Sequence, residues 1–377
     1  MKILLCGGGT LGPVTPLLAV VRSMKKIRND LSFAWVGTST GPEHAVVVRE
    51  GIPFFSIPVA KLPRYFSLAW LTVPRDLLRA LRAARKIFDD TDPDLIVGMG
   101  GFTQAPIMRE ARKRNIPCAI HQLDATPTLS NRFVAKLCGS ATTSFEYVSP
   151  PFGSVASTRV ATPCRFSGMT IPDREAAADR FFLDPSRPIA FVFGGGTGAR
   201  VLNHAMDVVC ERLPDAIQFI LVTGEGRGTG RTSDRRTIVK ERLDERDMLF
   251  AYAASDLVIC RAGMGTLSEL AALSKPAIVI PIPDSHQEQN AEQLTDGIKI
   301  VRQTDGFEKQ LATALEALLN GQTECQRLGT TLHALLPTDD GTSVAERWLD
   351  LIQSSTSTTL QPRALSEARM RRVEGHD

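Results

Sequence analysis

The run Cys260–Leu294 reads CRAGMGTLSELAALSKPAIVIPIPDSHQEQNAEQL and carries the densest set of chemically useful residues in the chain. An apolar strand ends at Cys260, and Arg261–Gly265 forms a glycine-containing turn. A helix is expected from Thr266, with Glu269 in its first turn. The free N–H groups and the positive end of the dipole at a helix start favour a diphosphate, here over Gly263, Met264, Gly265 and Thr266. A carboxylate at Glu269 is a bidentate acceptor and suits a ribose diol. The plainer alternative is a first-turn carboxylate that only complements the dipole. Gln287 and Asn290 are three residues apart, so one helix face carries both amides, and amides at a cleft rim suit sugar hydroxyls.

Two further loops point to phosphate. CGGGTLGPVTP begins at Cys6 and FGGGTGARVLN at Phe193; each follows an apolar strand and opens a helix. Glycine there allows positive φ and lets a ligand approach the backbone. Neither is a P-loop, and neither is a clean dinucleotide fingerprint. A tight turn that serves only sheet–helix packing would explain one such loop. Two equivalent loops, in matching positions, point instead to a cleft that holds a phosphorylated ligand.

The elements that must position these residues alternate strand, loop and helix. Strands are expected at Lys2–Cys6, Ser32–Val36, Pro53–Ile57, Leu95–Val97 and Cys118–His121, with helices at Pro16–Met24, Arg75–Phe88 and Gln104–Arg114. Short, uniformly apolar strands between amphipathic helices indicate parallel sheets covered on both faces. A stretch rich in Pro, Gly and Ser near 148–160 interrupts the pattern as a hinge. It then restarts with strands at Pro188–Phe193, Gln218–Val222, Leu257–Cys260 and Ala277–Ile280, a helix at Val201–Leu213 and a last helix at Thr342–Ile352. The expected architecture is α/β, two doubly wound Rossmann-like units facing across a cleft: residues 1–150, residues 151–352, and a disordered tail over 353–377.

The 377 residues suit two domains. Lys and Arg number 44 against 41 Asp and Glu, a net charge of +3 that does not suit a protein coating nucleic acid. The seven cysteines form no CxxC pair and read as buried free thiols of a reducing compartment. No stretch approaches the roughly 18 apolar residues of a membrane span. Yet Lys61–Lys86 carries seven basic residues and one acidic one, together with Tyr65, Phe66, Leu68, Trp70 and Leu71. Basic side chains such as Arg75 beside exposed aromatics suit an anionic bilayer surface. A solvated helix face with its apolar side in the core is the alternative, and the better one for Leu77, Leu78 and Leu81.

RAGMGTLSE followed by HQEQNA resembles the nucleotide-sugar site of MurG-type enzymes. GGGTLGPVTPLLAV, DLIVGMGGFTQAP, GGGTGARVLN and DMLFAYAASDLVICRAG join the match, in order and at the family's spacing, over about residues 1–352. The resemblance implies a two-domain GT-B fold and an inverting transferase without a required metal or cofactor. It would move GlcNAc from UDP-GlcNAc to an undecaprenyl-diphosphate-linked acceptor at the cytoplasmic membrane surface. It implies ribose binding by Glu269, reading of the GlcNAc hydroxyls by Gln287 and Asn290, and diphosphate binding over Gly263–Thr266. Arg165, in TPCR, falls near the donor, and the two loops contribute Thr10, Leu11, Gly12, Gly196 and Thr197.

The departures fall mostly on the acceptor side. Pro13 stands where the family's first loop has a histidine. His121-Gln122-Leu123-Asp124 replaces its HEQN, Phe102 a tyrosine, and Gly196 and Thr197 a serine and a glutamine. A base is still needed for the attacking hydroxyl; Asp124 is the first candidate and His121 the second. A transferase with another lipid acceptor, a GT-B epimerase, and a non-catalytic UDP-sugar-binding or scaffold descendant remain alternatives.

Overall fold

The computed structural model describes residues 1–9, 11–58, 73–196 and 198–352. The first sheet is assembled from β1 (Lys2–Cys6), β2 (Ser32–Gly37), β3 (Phe54–Ser56), β4 (Leu95–Gly98), β5 (Cys118–Gln122), β6 (Ser140–Thr143) and β7 (Thr158–Arg159). All seven are parallel, in the order β3-β2-β1-β4-β5-β6-β7. After β8 (Thr162–Pro163), the second sheet uses β9 (Ile189–Phe193), β10 (Gln218–Val222), β11 (Thr237–Lys240), β12 (Leu257–Cys260), β13 (Ala277–Val279) and β14 (Lys299–Ile300). Its order, β11-β10-β9-β12-β13-β14, repeats the winding of the first six strands of the other sheet, again all parallel.

Both faces of each sheet are covered, which is why the strands are apolar throughout instead of alternating. On β1, Ile3 and Leu5 enter one core cluster and Leu4 and Cys6 the opposite one. On β9, Phe191 and Phe193 face one way and Ala190 and Val192 the other. The strand order reverses between β1 and β4 and between β9 and β12. Ligands of such sheets bind outside the carboxyl ends of the strands at that reversal. The two glycine loops leave β1 and β9, so both open at a switch point.

The segment 148–160, expected as the hinge, ends in β7, which still extends the first sheet. The chain crosses at β8, whose partner is β15 (Thr338–Asp339). The helical stretch 342–352 then packs back on the first unit. Gly341 has φ +97°, and a Cβ there would lie 2.6 Å from the Val20 nitrogen, so only glycine lets the chain pass. Asp340 accepts from Lys26 Nζ (2.8 Å) and, through its carbonyl, from Ser23 Oγ (2.7 Å). Trp348 is fully buried in the cluster that also contains Leu17. The tail after 352 and the aromatic run Tyr65–Leu71 lie outside the described residues.

Candidate active site

The first glycine loop is anchored from below. Trp35, fully buried on β2, donates its indole N–H to the Gly7 carbonyl at 2.7 Å. Glu43 is also fully buried and accepts from the Thr38 amide (2.7 Å) and hydroxyl (2.6 Å). Its carboxylate presses on Gly8, where a Cβ would meet Oε1 at 2.3 Å. Glu43 escapes a reading of the sequence; its only signal is a carboxylate just past the turn that ends β2. In the second loop, Gly195 and Gly198 have φ +85° and +71°. Asn203, on the helix Arg200–Arg212, secures the floor by donating to Thr223 O and Arg227 O, each at 2.9 Å.

The loops meet across the seam between the two sheets. Leu11 sits against Gly196, where a Cβ would lie 2.6 Å from Leu11 Cδ1. Gly265, at the start of the third element, faces the Gly12 carbonyl and Thr15 Oγ1. The structure therefore brings Leu11, Gly12, Gly196 and Gly265 together. Thr10 and Thr197 lie outside the described residues.

The helix expected from Thr266 spans Met264–Ala272, with an extended Gly263 as its N-cap and no side-chain cap. Its first amides are thus not taken by a capping side chain. The earlier start moves Glu269 out of the first turn, which corrects that expectation. Glu269 is 5% exposed. Its Oε1 accepts from Arg165 Nε and its Oε2 from the Tyr252 hydroxyl, both at 2.8 Å. Burial, and after it the neighbouring carboxylate, raises the Tyr252 phenol well above its ordinary value, so Tyr252 is a donor here. Arg165 lies 3.6 Å from Glu245. Arg22 of the first unit holds Glu245 at 2.7 Å and Glu50 at 2.6 Å, so one chain of charges crosses the seam. Arg261 is also tied down: it donates to the carbonyls of Ile280 and Pro281 and to Gln303 Oε1.

The HQLD segment closes the site from the first unit. His121 is fully buried on β5, with Nδ1 2.9 Å from Thr142 Oγ1 and Nε2 3.0 Å from Ser144 Oγ. Burial pushes the imidazole down to about 3. With both nitrogens occupied and no path to solvent, His121 is structural, and its candidacy as the base is withdrawn. The unfolded chain binds a proton near pH 6.5, which the folded chain refuses down to about 3. This contribution to stability is therefore complete above pH 6.5 and is lost on acidification through that window. A His121→Gln variant is expected to show a flatter fall in urea midpoint between pH 6.5 and 4; an unchanged slope would contradict this.

Gln122, given no role on sequence, and Asn131, missed by sequence reasoning, shape the turn. Gln122 Nε2 donates to the carbonyls of Asp124 (2.9 Å) and Thr126 (3.1 Å), and its Oε1 accepts from Asn131 Nδ2 (2.7 Å). Gln104 Nε2 donates to Asn131 Oδ1 and its Oε1 accepts from the Gly100 amide, so the glycine turn after β4 joins the same buried amide chain. Asp124 is left at the rim, its side chain 20% exposed. Its Oδ1 accepts from Asn290 Nδ2 at 3.0 Å, and Asn290 Oδ1 accepts from the Ala125 amide at 2.8 Å. Asn290 thus reaches the first unit, whereas Gln287 turns its Oε1 to the amide of Ile282, in its own preceding loop.

Two parallel doubly wound sheets, facing each other through glycine loops at their switch points, define a GT-B glycosyltransferase architecture. Residues 3–143 match the glycosyltransferase family 28 N-terminal domain and residues 189–331 its C-terminal domain. A Nocardioides sp. protein described as UDP-N-acetylglucosamine–N-acetylmuramyl-(pentapeptide) pyrophosphoryl-undecaprenol N-acetylglucosamine transferase is 34% identical, over 93% of this chain and 98% of its own length. A Listeria monocytogenes protein of the same description is 30% identical, over 94% and 100%. Among solved structures, Acinetobacter baumannii MurG superposes with a TM-score of 0.68 at 22% identity, over 94% of this chain and 99% of that one. A Neisseria meningitidis UDP-GlcNAc 2-epimerase reaches 0.60 at 13% identity, so the epimerases share this fold. The chain belongs to glycosyltransferase family 28, among the MurG-type transferases.

Proposed function

We propose that the chain transfers GlcNAc from UDP-GlcNAc to the MurNAc of an undecaprenyl-diphosphate-linked acceptor, as its relatives are described to do, in the synthesis of a peptidoglycan precursor. The observation that carries this reading is the meeting of the two glycine loops, the uncapped Met264–Ala272 helix and Asp124 at one seam. The diphosphate lies over Gly263, Met264, Gly265 and Thr266, whose N–H groups receive the charge that builds up as UDP leaves. Gly12 and Gly196 border it, with Leu11 packed on Gly196. Arg165 adds its charge from the side and is kept in place by Glu269. Each Glu269 oxygen retains a second acceptor direction for a ribose hydroxyl. Asn290 and Gln287 take the hydroxyls of the sugar.

Asp124 removes the proton of the attacking acceptor hydroxyl. That oxygen bonds to C1 of GlcNAc from the face opposite the diphosphate, and the C1–O bond to UDP breaks, inverting the carbon. Labelled UDP-GlcNAc incubated with a polyprenyl-diphosphate MurNAc-pentapeptide tests the reading by mass analysis. A product one HexNAc heavier, with UDP released, is expected. Free GlcNAc or ManNAc derivatives alone would favour hydrolase or epimerase chemistry.

The leaving diphosphate is neutralised by backbone N–H groups and Arg165, and no DxD motif lies near them. Turnover is accordingly expected to be unchanged in EDTA; loss that Mg²⁺ or Mn²⁺ restores would refute this.

Among the described residues no helix is long and apolar enough to cross a membrane. Peripheral attachment to an anionic leaflet, on its cytoplasmic side, is proposed through Tyr65, Phe66, Trp70, Leu71 and Arg75. The helix Val73–Thr91 continues this stretch with Leu77 and Leu78 exposed, which corrects their expected place in the core. Each basic residue near the surface contributes about 1 kcal/mol, and salt weakens it. Sedimentation with phosphatidylglycerol vesicles is expected to exceed that with neutral vesicles and to fall with salt; equal or no binding to both would count against the patch.

A further inference from the structure

Asn290 is in an odd position for an amide that reads a sugar, because it is fully buried and already engaged. Its Nδ2 donates to Asp124 Oδ1 (3.0 Å) and to the Ala262 carbonyl (3.2 Å). Its Oδ1 accepts from the Ala125 amide (2.8 Å). Both donors of the amide and one of its two acceptor directions are therefore used inside the protein. Two of these bonds join the helix His286–Glu292 of the second unit to the turn after β5 of the first. That turn is held from its other side by the Tyr147 hydroxyl, which donates to the Asp124 carbonyl at 2.9 Å. His286 lies 3.7 Å from the same Asp124 oxygen that Asn290 holds.

The bond is charge-assisted because residue 124 is an aspartate. A buried amide cannot simply be abandoned; whatever displaces Asp124 has to offer it replacement hydrogen bonds. The UDP moiety, over the Met264–Ala272 helix, makes no such offer. The hydroxyls of a donor sugar do.

We propose that Asn290 is a shared latch. It clasps the Asp124–Ala125 turn, and the donor's N-acetylhexosamine competes for the same amide, so sugar binding opens the clasp and frees the Asp124 carboxylate for the acceptor. This rests on the nucleotide-sugar reading given under the proposed function.

Calorimetric titration of UDP and UDP-GlcNAc into the full chain separates the two claims. Without the Asp124 carboxylate one of the two clasp bonds is gone, so donor binding spends less hydrogen-bond energy on opening it. Asp124→Ala is expected to bind UDP-GlcNAc about 5–20-fold tighter, with UDP affinity unchanged. Asp124→Asn, isosteric and still an acceptor, is expected to fall between wild type and the alanine variant. UDP-GlcNAc affinity that is unchanged or weaker in both variants overturns the latch. Failure of the wild type to bind either ligand overturns the nucleotide-sugar reading instead.

Discussion

Glu269→Ala is expected to lower the unfolding free energy by about 3–5 kcal/mol, the range for removing one partner of a buried ion pair. The side chains of Arg165 and Glu269 are only 16% and 6% exposed, so solvent does little to compensate. The substitution strands the Arg165 guanidinium and leaves the Tyr252 hydroxyl without its acceptor. Glu245 stays 3.6 Å from Arg165, which places the effect nearer the lower end. Glu269→Gln keeps an acceptor for Tyr252 and is expected to lose less. Urea unfolding of the three proteins measures the order, and a loss below about 1 kcal/mol in the alanine variant would show that the pair is not a buried charge pair in solution. UDP affinity, measured where both variants remain folded, is expected to weaken by a further 1.5–3 kcal/mol, about the value of a hydrogen bond to a charged group.

Asp124→Asn is expected to reduce turnover by about 10²–10⁴-fold, the usual contribution of a general base. No other titratable side chain of the HQLD segment is available, because His121 is sealed between Thr142 and Ser144 with its imidazole pushed down to about 3. Pro13, at the head of the helix Val14–Ile27, has no proton to move. UDP affinity is expected to be unaffected, since the nucleotide site proposed above is on the other unit. With the latch, the variant should bind UDP-GlcNAc more tightly while it turns over more slowly. Full turnover in Asp124→Asn would make residue 124 a binding group and send the search for the base elsewhere.

The glycine loops, the parallel winding and the helix that follows the Gly263 turn were all readable in the residues. Each depends on neighbours close in sequence: an apolar strand, a glycine turn, a helix start. The strands Lys2–Cys6, Gln218–Val222 and Leu257–Cys260 have the bounds that their apolar runs imply. Short strands escaped. β7 and β8 are two residues each, too brief for any periodicity, and exist because β6 and β15 supply their hydrogen-bond partners. The start of the Glu269 helix was misplaced because glycine is a poor helix former. In the fold a Cβ on Gly265 would lie 3.2 Å from Thr15 Oγ1, a tight contact that glycine relieves at the seam.

By itself the sequence determined the kind of protein: two doubly wound parallel units, each opened by a glycine loop, with the run from Cys260 to Leu294 and the HQLD segment resembling the two sides of a family 28 transferase site. Tertiary structure alone decided what those side chains are doing. Glu269 and Arg165 are 104 positions apart and Asp124 and Asn290 are 166 apart. No local pattern records that the first pair forms a buried ion pair or that the second bridges the units. On sequence both Asp124, the first candidate, and His121, the second, are able to move a proton. Burial separates them, because desolvation disfavours the charged imidazole inside the sheet while the carboxylate at the rim keeps contact with water.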